Sequence, residues 1–340
     1  MRIAVLAPIA WRVPPRHYGP WELFASLLTE GLVARGHDVT LFASADSITA
    51  ARLQSVVPAG WSEDDSIEPK VAECLHIASA FAQAADFDVI HNGFDFLPLT
   101  YAGLVDTPMV TTIHGFSSPR IVPVYAAYDD RTTYVAISDS DRHPSLSYAA
   151  TIHHGIDTDA LPLGTGQGGY LAFFGRIHPD KGTVEAIATA RAAGLPLRIA
   201  GIVQDHDYFT TQVAPLLDGD QIRYVGPVLA TDRAAFLGNA TALLHLIGFD
   251  EPFGFSVAEA MACGTPVIAF DRGSMGELIT NGSTGMIVPD VPGAVAAVPV
   301  VAALDRRAIR ADAVHRFGVD RMVDAYVDLY RRVTAVPVGG

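Results

Sequence analysis

Short, continuously apolar, β-branched runs alternate with helix-length segments along nearly the whole of this 340-residue chain. RIAVLAP (2–8) is followed by PWELFASLLTEGLVARG and DVTLFA. Further runs follow at DVIHNG (88–93), PMVTTIHG (108–115), YVAIS (134–138) and TIHHG (151–155). Strands that are apolar on both faces belong to parallel sheets covered by helices on both sides, and helix-length connections make right-handed βαβ units. At 160–169, ALPLGTGQGG, glycines crowd and periodicity is lost, which predicts a linker. The alternation then restarts with LAFFGRI, DKGTVEAIATARAAG, LRIAG, a helix near 207–217, IRYVGPV, a helix near 232–239, ALLHLIG and PVIAF. It closes on a helix near 319–334 with Met322, Val323, Tyr326, Leu329 and Tyr330 on one stripe. The expectation is an α/β chain of two Rossmann-like parallel-sheet domains, 1–165 and 166–318, facing each other across a cleft. The segment 319–340 is expected to pack back toward the first domain. Sheets of this kind bind ligands outside the carboxyl ends of their strands.

Composition narrows the class of ligand. The net charge of −14 disfavours nucleic acid and anionic membrane surfaces, both of which need cationic protein. Two cysteines far apart, Cys74 and Cys263, suit reduced thiols in a cytoplasmic protein rather than a disulfide frame. No run approaches the ~20 apolar residues of a membrane span. Residues 2–8, interrupted by Pro8 and soon followed by a second strand, read as a buried strand and not as a signal peptide.

Four segments could carry chemistry. EPFGFSVAEAMACGTPVI (251–268) is a loop, a short helix and a strand. With the helix starting near Ser256, the backbone N–H groups of Gly254, Phe255, Ser256 and Val257 form an anion site beyond Phe253. Glu259, one turn along, can reach a pair of hydroxyls, and Glu251, before the turn, a sugar on the other side. Carboxylates are pure acceptors and suit vicinal diols. Each glutamate alone also fits a solvated position. Gly175–Gly182, at the end of a strand, carries Arg176 and one of only two lysines, Lys181. These two cations could clamp a diphosphate; alternatively, Asp180 caps the next helix and pairs with Lys181. In Tyr18-Gly19-Pro20-Trp21-Glu22, Gly19 would admit a phosphate, or the stretch is a plain helix start. His114, at a strand's carboxyl end beside Gly115, could hold a sugar hydroxyl or take a proton, although lone histidines are more often structural. Gly164, Gly166 and Gly169 match G-x-G-x-x-G, but before a strand, so the dinucleotide context fails.

Glu251…Glu259 followed by Ala-Met-Ala-Cys-Gly-Thr-Pro-Val-Ile resembles the retaining GT-B glycosyltransferases of family GT4. Gly175-Arg176…Lys181-Gly182, Thr112-Ile113-His114, Val135-Ala136-Ile137-Ser138 and His154-Gly155-Ile156-Asp157 stand in the order that family shows. The resemblance covers essentially the whole chain and is nearest to members that act in antibiotic biosynthesis. It implies that Glu259 holds the ribose hydroxyls of a nucleotide and Glu251 a donor-sugar hydroxyl. Arg176 and Lys181 would contact the diphosphate, and the backbone of Gly19 and of Gly254 to Val257 phosphate or sugar. His114 would lie near the reacting centre, making His114, Glu251, Arg176 and Lys181 the catalytic set. Phe253 would join the donor site, and Tyr224, Val225, Gly226 and Pro227 the base pocket. Two departures stand out: Pro20 replaces a second glycine, and His154 stands where many members have Asn.

The activity so implied is transfer of a sugar, with retention, from a nucleoside-diphosphate sugar (UDP by resemblance) to a hydroxyl, with no metal and no other cofactor. The rivals are a nucleotide-sugar 2-epimerase of the same architecture, a sugar-nucleotide-binding protein without turnover, and a metal-dependent transferase using a D-x-D pair such as Asp205–Asp207. The first 165 residues hold 9 basic and 19 acidic residues against 14 and 18 in the remainder, so the acceptor half is the more acidic. That favours a small soluble acceptor, such as an oligosaccharide antibiotic intermediate, over anionic lipid. Trp11, Arg12, His17, Tyr18, Phe94 and Phe96 could line its groove, since aromatic faces suit sugar rings; some of them equally suit the core.

Overall fold

The structure, a computed structural model, describes residues 1–16, 18–116 and 118–335. The chain forms two compact units, Met1–Gly155 together with the segment from Val319 onward, and Ile156–Gly318.

Unit 1 runs β1 (Arg2–Leu6), α1 (Pro20–Ala34), β2 (Asp38–Phe42), β3 (Arg52–Gln54), α2 (Pro69–Phe81), β4 (Val89–Asn92), β5 (Met109–Ile113), α3 (Val122–Ala127), β6 (Thr133–Ala136) and β7 (Tyr148–Thr151). Its seven strands lie in the order β3-β2-β1-β4-β5-β6-β7, every pair parallel. The central strands are apolar on both faces because helices cover both; Ile3, Val5, Val89, Ile90 and Val110 are fully buried.

Unit 2 runs β8 (Leu171–Phe174), α4 (Thr183–Ala193), β9 (Leu197–Ala200), α5 (His206–Tyr208), β10 (Ile222–Gly226), α6 (Ala230–Asn239), β11 (Ala242–His245), α7 (Phe255–Ala262), β12 (Val267–Phe270), α8 (Met275–Leu278), β13 (Gly285–Val288), α9 (Val291–Ala302) and α10 (Arg306–Phe317). Its sheet, order β10-β9-β8-β11-β12-β13, is again parallel throughout. The last helix, α11 (Val319–Ala335), belongs to unit 1. Val323 packs on Gly31 of α1, and Arg35 at the end of α1 holds Asp324 at 2.7 Å and Asp320 at 3.0 Å.

Several elements differ from the sequence expectation. The units divide at Gly155/Ile156 and not at 165/166. The glycine run is bound along unit 2: the N–H groups of Gly164, Gly166 and Gly168 donate to the carbonyls of Cys263, Gly238 and Asn239. TIHHG is the exit of a strand, since β7 ends at Thr151. The helix expected near 207–217 is one α-turn, a π-turn over Phe209–Val213 and a 3-10 turn over Ala214–Leu216. Pro215 has no N–H to continue the ladder. The segments α2, β3, β13, α9 and α10 carry no sequence expectation.

Candidate functional site

In unit 1 the strand order reverses between β1 and β4, and the segments that follow β1, β4 and β5 carry the sequence candidates. Gly19, the N-cap of α1, has φ 147°, and a Cβ there would stand 2.7 Å from Glu22 Oε2 and 2.9 Å from Pro15. Only glycine fits. Glu22 is 3% exposed; its Oε1 accepts the Trp11 N–H at 3.2 Å, and burial pushes its carboxyl up to about 7. Trp11 meets Tyr18 edge-on at 6.5 Å, and the Arg12 N–H donates to Glu63. His17 lies outside the described residues.

His114, just past β5, is enclosed by aromatic rings. Trp21 stacks on it at 5.4 Å, Phe24 meets it edge-on at 4.8 Å, and its Nδ1 is 3.3 Å from His154 Nε2. Its Nε2 is buried with no hydrogen-bond partner among the described residues. Burial holds the His114 ring neutral, its pKa down to about 3. Below it, His91 Nδ1 is 2.7 Å from Tyr330 Oη, and Thr112 Oγ1 is 2.7 Å from Tyr326 Oη, so α11 gives partners to one polar side chain each of β4 and β5. Phe94 is a core residue, 5% exposed and packed on His76, which removes it from any acceptor groove; Phe96 packs on Tyr125.

In unit 2 the order reverses between β8 and β11. Lys181 and Glu251, far apart in sequence, meet there. Lys181 Nζ lies 2.8 Å from Glu251 Oε2 and 4.3 Å above the Phe249 ring, and His245 Nε2 is 3.7 Å from the same oxygen. Burial lowers His245 to about 4, so it is a neutral ring facing a carboxylate. Asp180 pairs with His178 Nδ1 at 2.6 Å and not with Lys181. Gly182 caps α4 at φ 71°, where a Cβ would fall 1.9 Å from the Leu246 carbonyl oxygen. That close approach brings the β8 turn against the segment after β11. Arg176 donates to the Gln204 side-chain carbonyl, beside a hollow of about 390 Å³ lined by His178, Gln204, Asp205, His206 and Asp207.

Gly254, in the left-handed region, caps α7. The Val257 N–H is already bonded to the Gly254 carbonyl at 3.0 Å, so it is withdrawn from the expected set of four donors. Phe253 is 2% exposed and packs on Phe255 and Phe317. Glu259 is 5% exposed and pairs with Arg233 of α6 at 2.5 Å. Tyr224 and Val225 have different surroundings. A bulge leaves Val225 out of the β10–β9 pairing; it lines a hollow of about 500 Å³ with Arg198, Leu229 and Phe236, whereas Tyr224 packs on Phe209 and bonds the Gly201 carbonyl at 2.8 Å. Neither hollow includes Lys181, Glu251 or Glu259.

Among the described residues no three His, Cys, Asp or Glu side chains are grouped to hold a metal ion. Asp205 of the D-x-D pair uses its carboxylate to cap Tyr208. No described helix is long and apolar enough to cross a membrane. Sequence reading missed His245, Phe249, Gln204, Glu22 and Arg233. His245 was discoverable as the polar end of the apolar run ALLH; no local pattern links Arg233 to Glu259.

Residues 22–160 match the family described as Glycosyltransferase Family 4, and residues 165–298 match Glycosyl transferases group 1. The glycogen synthase of Mycobacterium tuberculosis (strain ATCC 25618 / H37Rv) is 27% identical over 364 residues, spanning 88% of this chain and 87% of that protein. Among solved structures, AviGT4, a glycosyltransferase involved in avilamycin A biosynthesis, superposes with a TM-score of 0.75 at 25% identity over 98% of both chains. The Anabaena protein HepE, solved in complex with UDP, gives a TM-score of 0.75 at 17% identity over 98% of this chain and all of that one.

Proposed function

Because the chain belongs to the GT4-type glycosyltransferases of GT-B fold, we propose that it moves a glycosyl group from a nucleoside-diphosphate sugar, a UDP-sugar, to a hydroxyl of a small soluble acceptor, with anomeric configuration retained and no metal required. The observation that carries this reading is the Lys181–Glu251 pair at 2.8 Å, set by the ends of β8 and β11 with His245 behind it. A cation for a phosphate and a carboxylate for a sugar hydroxyl stand side by side, and Glu259 on the next helix supplies the acceptor for ribose hydroxyls. Cleavage of the anomeric bond leaves negative charge on the diphosphate, which Lys181, Arg176 and the start of α7 are suited to stabilise. The departing phosphate oxygen takes the proton of the attacking hydroxyl, so no protein nucleophile is assigned. The buried neutral ring of His114 suits a hydrogen bond to a sugar hydroxyl better than acid catalysis near pH 7. The loop of Trp11 and Tyr18 would receive the acceptor, an oligosaccharide antibiotic intermediate by likeness to the avilamycin enzyme. The UDP of HepE supports the choice of base.

Calorimetric titration with UDP, GDP, ADP and TDP, with and without EDTA, tests the reading on wild type and Glu259→Ala. One nucleotide should bind, indifferent to EDTA, and Glu259→Ala should lose it. Binding of none, or binding only with added metal, overturns the proposal.

A further inference from the structure

Glu259 is a problem for the site that uses it. Its carboxylate is 5% exposed in a helix otherwise lined by Val257, Ala258, Ala260, Met261 and Ala262, all buried. Taking such a group out of water favours its protonated form, and here burial does raise its pKa. A protonated carboxyl is a poorer acceptor for two hydroxyls. The chain answers with Arg233, whose Nη1 reaches Glu259 Oε1 at 2.5 Å and whose guanidinium lies 5.4 Å from the centre of the Phe174 ring. The Arg233 Nε is buried and has no hydrogen-bond partner among the described residues, so Glu259 is the one carboxylate that the structure offers this cation.

We propose that Arg233 is a positioning residue of the donor site: it keeps Glu259 ionised and turned so that one carboxylate oxygen stays available to the ribose hydroxyls of a nucleoside diphosphate. This inference rests on the reading of Glu259 as the ribose acceptor. The other ionisable groups on elements packed against α7 do not replace Arg233. On α10, Arg306 bonds the Gly238 and Ala240 carbonyls and Thr265, and Arg310 bonds the Ala262, Leu161 and Thr158 carbonyls. His245 of β11 is neutral and faces Glu251. Cys263, which ends α7, is pushed up to about 12 and stays a thiol. Asp232, beside Arg233 on α6, adds only negative charge.

The test compares wild type, Glu259→Ala, Arg233→Gln and Arg233→Lys by calorimetry with UDP and with 2′,3′-dideoxy-UDP from pH 6 to 9. Wild type should prefer UDP about tenfold or more, with a flat pH profile, as expected for hydrogen bonds to a charged acceptor. Arg233→Gln should lose about tenfold in UDP affinity near pH 6.5, lose the preference over the dideoxy compound, and regain both as the pH rises and Glu259 ionises. Arg233→Lys keeps the charge and should stay close to wild type. A loss in Arg233→Gln that is the same at every pH and not rescued by Lys is a packing effect and overturns the proposal. So does a wild-type profile in Arg233→Gln while Glu259→Ala fails to bind. If Glu259→Ala binds as wild type does, the donor-site reading itself falls. A carbon-13 titration of the Glu259 carboxyl gives a ligand-free readout: its midpoint should rise in Arg233→Gln, and an unchanged midpoint overturns the proposal.

Discussion

The two units share one sheet topology and fill it with different chemistry, neutral rings in one and ion pairs in the other. Both sheets are parallel and reverse strand order at an inner pair; unit 2 gathers its polar side chains in the segments beyond that pair, whereas those of unit 1 lie within β4 and just past β5 and β7. Unit 1 assembles neutral rings: His91, His114 and His154 around Phe24, with Trp21 and Tyr326 against them. Unit 2 assembles ion pairs, Lys181–Glu251 and Arg233–Glu259. One topology supplies the position, and the residues that fill it set its electrostatics.

Acid should break this symmetry with the largest effect. His76, His91, His114 and His154 in unit 1 are held neutral by burial, near 4, 3 and 3 for the first three and well below 6.5 for the last. Unfolded histidine takes a proton near 6.5, so this stability is complete above that pH and is lost as the pH falls toward the native values. Each ring costs ~1.4 kcal/mol per pH unit, or roughly 6 kcal/mol for four at pH 5.5. Unit 2 has one such residue, His245. Trp11, Trp21 and Trp61 all lie in unit 1, so tryptophan fluorescence should report its unfolding at pH 5.5 while helical circular dichroism from unit 2 persists. Coincident transitions would mean the units do not differ in this way.

Next in size, Lys181→Ala should lower kcat by about 10²–10³-fold, the usual cost of removing a group that stabilises developing charge. A loss below about tenfold in a steady-state assay would move the diphosphate elsewhere. Glu22→Gln should stabilise the protein by about 2–3 kcal/mol at pH 8.5 and hardly at all at pH 4. The native carboxyl titrates near 7 and the unfolded one near 4.5, so its cost appears as the pH rises between those values. Denaturant melts at both pH values check it, and equal effects would show that Glu22 is not buried as a charge. Smallest, Tyr326→Phe removes one partner of Thr112 and should cost about 1 kcal/mol, measured by the same melts.

The contrast also explains what could be read from the residues alone. The strands were legible because burial on both faces writes itself as continuous apolar runs. Lys181 and Glu251, whose side chains the fold brings to 2.8 Å, were legible as a scarce lysine on a strand-to-helix turn and by the spacing to Glu259. Arg233 and Glu22 were not, since their meaning is a contact: 26 positions separate Arg233 from Glu259, and Glu22 matters through Trp11 and Gly19. Phe94 shows the converse error, and Val225 a local departure from strand geometry. Phe94 sits after a strand, as site residues do, yet burial takes it into the core; Val225 sits within β10, where a bulge separates it from Tyr224. The glycine run misled for a related reason, because glycine permits close packing as readily as freedom, and here it lies against Gly238.

The return of α11 to unit 1 also sets a timetable for synthesis. A ribosome makes β1 to β7, then the whole of Ile156–Gly318, and only then the tyrosines that bond His91 and Thr112. At ~5–20 residues per second that is a wait of roughly ten to thirty seconds. Unit 2 has all its own residues before unit 1 does, so the half that is begun first is the half that is sealed last, with His91 and Thr112 lacking their α11 partners in the interval.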